Sequence, residues 1–179
     1  LKSMRKKKLL FLISAIHCIC CEQIKPRNPL NSDKITFLNQ SVDRNIKINK
    51  KEEVDFLKII QKDSKSRYFL STKGFWFKII DTSKKKIKPK SGDEVEFIYN
   101  ILDLKGNDIY KDDNLKPIKY VIDKEEVIPA LRYGIKELKV KESGIFLMPS
   151  FLCYGYQGDG EKISPNQPLI VFINLISLK

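Results

Sequence analysis

The sequence predicts an α+β fold: an antiparallel sheet wrapped around one short helix, with an N-terminal helical extension. Three observations point there. Val95, Phe97, Tyr99 and Ile101 alternate with their neighbours, the period-2 pattern of a strand with one buried face. Two more runs that read as strands, Gly144 to Met148 and Leu169 to Ile176, follow nearer the C-terminus. Between them and the first strand, Val127 to Leu138 supplies a single short helix, with Pro129 at its first helical position, where a missing N–H costs nothing. Strands with one helix laid across them pack as layers around one core.

The elements follow in chain order. Met4-Arg5-Lys6-Lys7-Lys8 and the apolar run Leu9 to Ile16 form a secretory signal pattern over residues 1–20. The apolar run is too short to span a bilayer, and Leu1 to Ser3 read as residues upstream of an initiating Met4. The signal ends in Cys18-Ile19-Cys20-Cys21, which resembles the lipidation site of a bacterial lipoprotein. Cys21 fits as the acylated residue, with the small Cys20 before it. A plain signal peptide with incidental cysteines is the alternative.

Residues 21–48 read as the lipidated Cys and an extended tether, with Pro26, Arg27, Asn28, Pro29, Asn31 and Ser32 near its start. Asn49 then caps an amphipathic helix over 49–66, with Glu52 and Glu53 in its first turns and Val54, Phe56, Leu57, Ile59 and Ile60 along an apolar stripe. That stripe suits a core element, a dimer surface or a docking surface. A domain over 67–179 opens with strand, turn and strand from Tyr68 to Ile80, turning at Lys73-Gly74. A basic loop, Lys84 to Ser91, leads to Gly92-Asp93.

Composition excludes several function classes. The net charge of +12 is partly the leader's: without Lys2, Arg5, Lys6, Lys7 and Lys8, 29 basic residues face 22 acidic ones, a balance of +7. The remaining lysines are scattered apart from Lys84, Lys85, Lys86, Lys88 and Lys90, without the aromatic interleaving of a nucleic-acid surface. A basic surface near anionic lipid or cell-wall polymer fits better than a nucleic-acid partner. The single histidine, His17, lies in the leader. Ser-His-Asp and Cys-His chemistry and a histidine zinc site are therefore not expected, and neither metal nor cofactor is called for. Cys153 stands alone in the body, so no intramolecular disulfide is expected in a mature chain beginning at Cys21, even in an oxidising compartment.

Four signals fall in one order: Gly92-Asp93-Glu94-Val95 leading to Tyr99, Val127-Ile128-Pro129-Ala130-Leu131, Met148-Pro149-Ser150 running to Tyr154-Gly155, and Ile163-Ser164-Pro165-Asn166-Gln167-Pro168-Leu169. This order resembles the FKBP-type peptidyl-prolyl cis-trans isomerases from Pro89 to the C-terminus. The resemblance implies rotation of X-Pro amides, a reaction that needs neither nucleophile nor proton carrier. The resonance behind the barrier of about 18–20 kcal/mol must weaken at the transition state. A desolvated apolar pocket favours the less dipolar twisted amide, and fixed donors hold the peptide in register.

Carried over residue by residue, the resemblance implies Tyr99, Ile128 and Tyr154 as catalytic. Tyr99 would line the pocket, the Ile128 amide would donate to a substrate carbonyl, and the Tyr154 hydroxyl would be a second donor. Ile109, Tyr110, Ile118, Val127, Leu131, Ile163 and Val171 would bind substrate. The departures lie at the centre. Leu131 stands where the family usually has the pocket-floor Trp, Ile109 and Ile118 where it has Phe, and Tyr110 where it has Asp. Val171 falls where a Phe is usual, with Phe172 adjacent.

Cys21, Glu22, Pro26-Arg27-Asn28-Pro29, the Glu-bearing helix, Ser71 to Gly74 and Phe75-Trp76-Phe77 resemble one subgroup, the gliding-motility-associated FKBP-type lipoproteins of Bacteroidetes. That likeness implies a lipid-anchored protein of the cell envelope, on the outer membrane facing the periplasm, acting on X-Pro-containing envelope proteins. Two alternatives use the same residues: a catalytically weak FKBP-fold chaperone or adaptor binding Pro-containing segments, and a structural lipoprotein of a motility or secretion apparatus.

Overall fold

The structure, a computed structural model, describes residues 32–110 and 116–179. The expected signal peptide, Cys21 and the tether as far as residue 31 lie outside the described residues. The chain divides into two compact units, Leu1–Gln40 and Ser41–Lys179. Of the first, the described part is the opening of helix α1, Ser32–Lys62; everything below concerns the second.

Helix α1 is 31 residues long and starts well before Asn49. Residues 32–48 are therefore helical and not an extended tether. The physical reason is visible in the chain: Pro26 and Pro29 precede the helix, and neither Pro nor Gly occurs again until Gly74, so nothing forces a break. The helix stops at Lys62 rather than at residue 66. There the Asp63 carboxylate accepts from the Ser66 hydroxyl at 2.8 Å and from the Tyr68 hydroxyl at 3.1 Å, turning the chain toward the sheet.

Six antiparallel strands make one sheet: β1 (Phe69–Leu70), β2 (Trp76–Asp81), β3 (Glu94–Leu102), β4 (Ile118–Val121), β5 (Ser143–Met148) and β6 (Leu169–Leu178). Their order is β1-β2-β5-β6-β3-β4. Helix α2, Pro129–Glu137, lies on the inner face. The inner face is built by alternation: Val95, Phe97 and Ile101 of β3, Phe146 and Met148 of β5, and Leu169, Val171, Ile173 and Leu175 of β6 are all buried. Ala130, Leu131, Ile135 and Leu138 meet them from the helix side. A Cβ on Gly134 would lie 2.6 Å from Ile173 Cδ1, so α2 sits close on β6 and a larger residue there would have to push the end of the Ile173 side chain aside.

The register contains one adjustment that the alternation alone does not show. Val95 pairs with Leu178 and Phe97 with Leu175, so β6 carries an extra residue between them. A bulge absorbs that residue, and Leu175 and Leu178 both pack on the core side.

The outer face is covered as well. Leu147 points away from α2 yet is fully buried, as is Phe56 of α1. Helix α1 is pinned to β2 there: Trp76 Nε1 donates to Glu53 Oε1 at 3.1 Å, and Lys78 Nζ bonds to Asp63 Oδ2. From Ser41 onward, α1 thus forms a second layer on the back of the sheet, and its stripe serves packing through Phe56.

Candidate active site

At one end of the sheet, a cavity of about 450 Å³ is lined by Tyr99, Asn100, Ile101, Tyr110, Lys116, Ile118, Tyr154, Asp159 and Glu161. Strand β3 delivers Tyr99 because its neighbours Phe97 and Ile101 are anchored in the core on the same face. The Tyr99 ring leans on Phe97 at 5.9 Å between centroids, and Phe97 meets Tyr120 edge-on at 6.4 Å. Strand β4 delivers Ile118.

Tyr154 arrives through a tight turn after β5. Pro149 precedes a 3-10 turn over Ser150–Leu152. The Ser150 carbonyl accepts from the Cys153 amide at 3.0 Å and from the Gly155 amide at 2.9 Å. The Gly155 carbonyl in turn takes the Asn166 amide at 2.7 Å. The head of this turn is gripped from the back of the sheet. Buried Glu52 of α1 accepts from the Ser150 hydroxyl at 2.6 Å and from its amide at 3.1 Å. Burial pushes the Glu52 carboxyl above its ordinary range, against the opposing pull of those two donors. Beside the turn, Cys153 is buried and its thiol is pushed up to about 12, mainly by desolvation, which makes it an inert packed residue.

The opposite rim is the loop around Asp159. One oxygen of its carboxylate accepts from the Glu161 amide at 2.9 Å and the Ile163 amide at 2.8 Å; the other bonds to the Tyr110 hydroxyl. Burial works against the charged carboxylate, but the Tyr110 hydroxyl and the loop amides outweigh it and hold Asp159 at about 2. The same bond, with desolvation, raises Tyr110 to about 12. Lys162 lies over the Tyr110 ring, 4.8 Å from its centroid. Desolvation also raises Tyr154, helped by the nearby Tyr99 and Asp159. Both groups are thus neutral donors at ordinary pH.

The residues that the sequence picks out fall into three sets. Tyr99, Tyr110, Ile118 and Tyr154 line the cavity together. Ile109, Val127 and Ile128 are half-buried and pack against the core shared by Tyr99 and Tyr154. Leu131, Ile163 and Val171 are buried, Val171 completely; Val171 pairs with Ile101 on one side and Phe146 on the other and supports the cavity from behind. Its neighbour Phe172 faces the outer side of the sheet, in a groove with Ile59, Leu147 and Ile170, so the register places Val171, not Phe172, on the inner face.

Among the described residues, the hydroxyls of Tyr99 and Tyr154 and the amide of Ile128 are engaged by no other protein group. Ile128 caps α2 through its carbonyl, which accepts from Leu131 and Arg132, and Pro129 follows it. Sequence reasoning missed Asp159, Glu161, Lys116 and Asn100. The signal for Asp159 was local: it stands between Gly158 and Gly160, both at positive φ, in a loop whose bend it ties by hydrogen bonds.

Residues 85–176 match the family model of the FKBP-type peptidyl-prolyl cis-trans isomerase. The chain belongs to that family. The matched stretch contains all ten of the site residues above. FK506-binding protein 2 of Dictyostelium discoideum is 32% identical over 93 residues, covering 51% of this chain and 70% of that protein. Among solved structures, a peptidyl-prolyl cis-trans isomerase of Pseudomonas syringae pv. tomato superposes with a TM-score of 0.61 at 20% identity, over 74% of this chain and 93% of its own. FkpA of Escherichia coli gives 0.57 at 20% identity, over 97% of this chain and 82% of its own. Both establish the likeness of fold for the FKBP-type domain.

Proposed function

We propose that this chain is a peptidyl-prolyl cis–trans isomerase of the cell envelope, anchored by an acylated Cys21 on the outer membrane and facing the periplasm. Its substrates are X-Pro bonds of envelope proteins, motility components among them. The observation that carries the catalytic part is the cavity that gathers Tyr99, Ile118 and Tyr154, with three unengaged donors on residues of one core. In this reading the proline ring sits against Tyr99 and Ile118. The Ile128 amide and the Tyr154 hydroxyl hold the flanking carbonyls while the desolvated amide twists. X-Pro isomerisation takes tens to hundreds of seconds uncatalysed, which leaves a folding catalyst work to do.

The envelope part is supported by the leader, the Cys18-Ile19-Cys20-Cys21 run and the resemblance of the N-terminal half to gliding-motility-associated lipoproteins. Among the described residues no helix is long and apolar enough to cross a membrane. A Cys21→Ala variant should remain unprocessed or leave the membrane fraction; unchanged attachment would refute that anchor.

The catalytic part is tested on residues 22–179 with an X-Pro tetrapeptide and with a protein whose refolding is limited by proline. Loss of one donor of about 1–1.5 kcal/mol should slow the Tyr154→Phe variant roughly five- to tenfold, and Ile128→Pro should abolish acceleration. A second reading, a chaperone or adaptor, is favoured by one observation: Val42, Ile46, Val54 and Leu57 of α1 are exposed apolar residues. Wild-type protein that binds Pro-containing segments without accelerating either substrate would establish that reading.

A further inference from the structure

The strands of the sheet share two ends. One is the cavity end, where β3 delivers Tyr99 and where β5 finishes and β6 begins. At the other, β2 ends at Asp81, β3 starts at Glu94, β5 starts at Ser143 and β6 ends at Leu178. Two basic loops meet at this second end. The first carries Lys84, Lys85, Lys86, Lys88 and Lys90; the second is Lys139-Val140-Lys141.

A run of lysines is ordinarily a solvated face, but these loops are held in shape. Buried Glu142 accepts from the Ser83 amide at 3.4 Å and the Lys139 amide at 2.9 Å. The Val140 amide donates to the Ile87 carbonyl at 3.3 Å, Pro89 is buried, and the Lys90 amide bonds to Asp93 Oδ2 at 2.7 Å. Lys88 and Lys139 are neutralised by Glu137 and Glu142. Lys84, Lys85, Lys86, Lys90 and Lys141 are exposed and form no ion pair among the described residues. In their midst Ile87 is 59% exposed.

We propose that this end of the domain docks on a bilayer containing anionic phospholipid. The unpaired lysines lie in the headgroup layer and Ile87 inserts at its boundary. Juxtamembrane lysines are attracted to anionic leaflets, roughly fivefold in partition for each, and an apolar residue ringed by lysines suits an interface of headgroup and acyl chain better than a soluble polyanion. Because the cavity lies at the opposite end of the strands, docking leaves it turned away from the lipid. Along β3, the five steps from Glu94 to Tyr99, at about 3.3 Å each, separate the two. The inference does not depend on acylation of Cys21 or on isomerase activity.

The test is lysine acetylation footprinting by mass spectrometry on the full chain, bound to vesicles of phosphatidylcholine alone or with 30 mol% phosphatidylglycerol (about one lipid in three, a composition chosen to give a strong surface potential). Lys84, Lys85, Lys86, Lys90 and Lys141 should react about fivefold or more slowly on the anionic vesicles. Lys105, Lys116 and Lys162 at the cavity end should be unchanged, and raised salt should remove the protection. Ile87→Ser should weaken the protection severalfold. Uniform reactivity of all lysines on both vesicles, or protection centred on the cavity end, would overturn the proposal. So would equal protection by soluble polyphosphate with no effect of Ile87→Ser, which would assign the loops to a polyanion instead.

Discussion

Glu52 and Ser150 offer the sharpest test of how the back helix supports the site. Ser150→Ala removes a 2.6 Å hydroxyl bond to a buried carboxylate and leaves only the 3.1 Å amide bond. A hydrogen bond to a charged, buried partner contributes about 1.5–3 kcal/mol. In a unit of this size that lowers the midpoint of thermal unfolding by roughly 5–10 °C. The pH dependence separates this account from simple loss of packing. The folded-state pKa of Glu52 is raised, so over the window just above the ordinary carboxylate value the folded protein holds a proton that the unfolded chain lacks. Stability from this group therefore grows as pH falls through that window and diminishes as pH rises. Ser150→Ala withdraws a donor from the charged form and raises the group further. The deficit against wild type should be largest near pH 8 and shrink toward pH 5. Glu52→Gln with Ser150 intact should retain most of the wild-type stability, its amide accepting from the Ser150 N–H and donating to the hydroxyl. Scanning calorimetry at the two pH values decides the matter. A deficit of equal size at both, or none at either, would refute the role assigned to the pair.

Other outcomes follow from the same geometry. Of the seven tyrosines, Tyr110 should resist ionisation until about pH 12, seen as a late step in tyrosinate absorbance that Asp159→Asn brings back toward pH 10. Asp159 is held at about 2, so its stabilising contribution is present above the unfolded carboxylate pKa and lost only as pH falls toward that value; the Tyr110 contribution is present below pH 10 and lost as pH rises toward 12. Gly158 has φ +70 and a Cβ there would lie 2.3 Å from the Ile163 carbonyl oxygen. Gly158→Ala should cost at least ~1 kcal/mol and speed amide hydrogen exchange at Glu161 and Ile163, whose amides Asp159 holds. Tyr154→Phe should slow isomerisation while leaving the thermal midpoint within about 1 °C, because no described residue accepts or donates at its hydroxyl, so the substitution leaves no buried partner unsatisfied.

Much of the inner layer was legible in the chain. Val95, Phe97, Tyr99 and Ile101 announce β3 by alternation, and Pro129 announces where α2 begins because its ring suits a first turn. The back layer was not. The burial of Phe56, Glu52 and Leu147 depends on which face of the sheet α1 crosses, and no local period encodes that. The early start of α1 was missed for a simpler reason: Pro26 and Pro29 suggested a tether, while the absence of any breaker from Ser32 to Lys73 was the stronger signal. The bond between Tyr110 and Asp159 joins residues 49 apart in sequence, across β4, α2 and β5. At β6, Val171 and Phe172 were equally plausible inward residues until pairing with Ile101 fixed the register.

The aromatic rings absent from the usual pocket positions bear on binding more than on rotation. The domain has rings, but four of them cluster over β1, β2 and β5, where Phe75, Phe77 and Phe146 touch one another and Phe69 touches Phe77. The second group, Phe97, Tyr99 and Tyr120, reaches the cavity through Tyr99 alone. Leu131, 5% exposed, is a core residue of α2 that does not line the cavity; under the proposed function it backs the pocket floor with aliphatic surface. Removing water from a twisting amide requires an apolar, closed surface, and leucine provides that as well as a ring does. What leucine lacks is the broad face and quadrupole that strengthen stacking contacts by about 0.5–1.5 kcal/mol. Under the proposed function the loss falls on ground state and transition state alike, which would weaken substrate affinity while leaving the rate of the bound amide's rotation in place. A Leu131→Phe variant separates the two effects: KM should fall severalfold with kcat unchanged, and a change confined to kcat would show instead that ring geometry acts on the rotating bond itself.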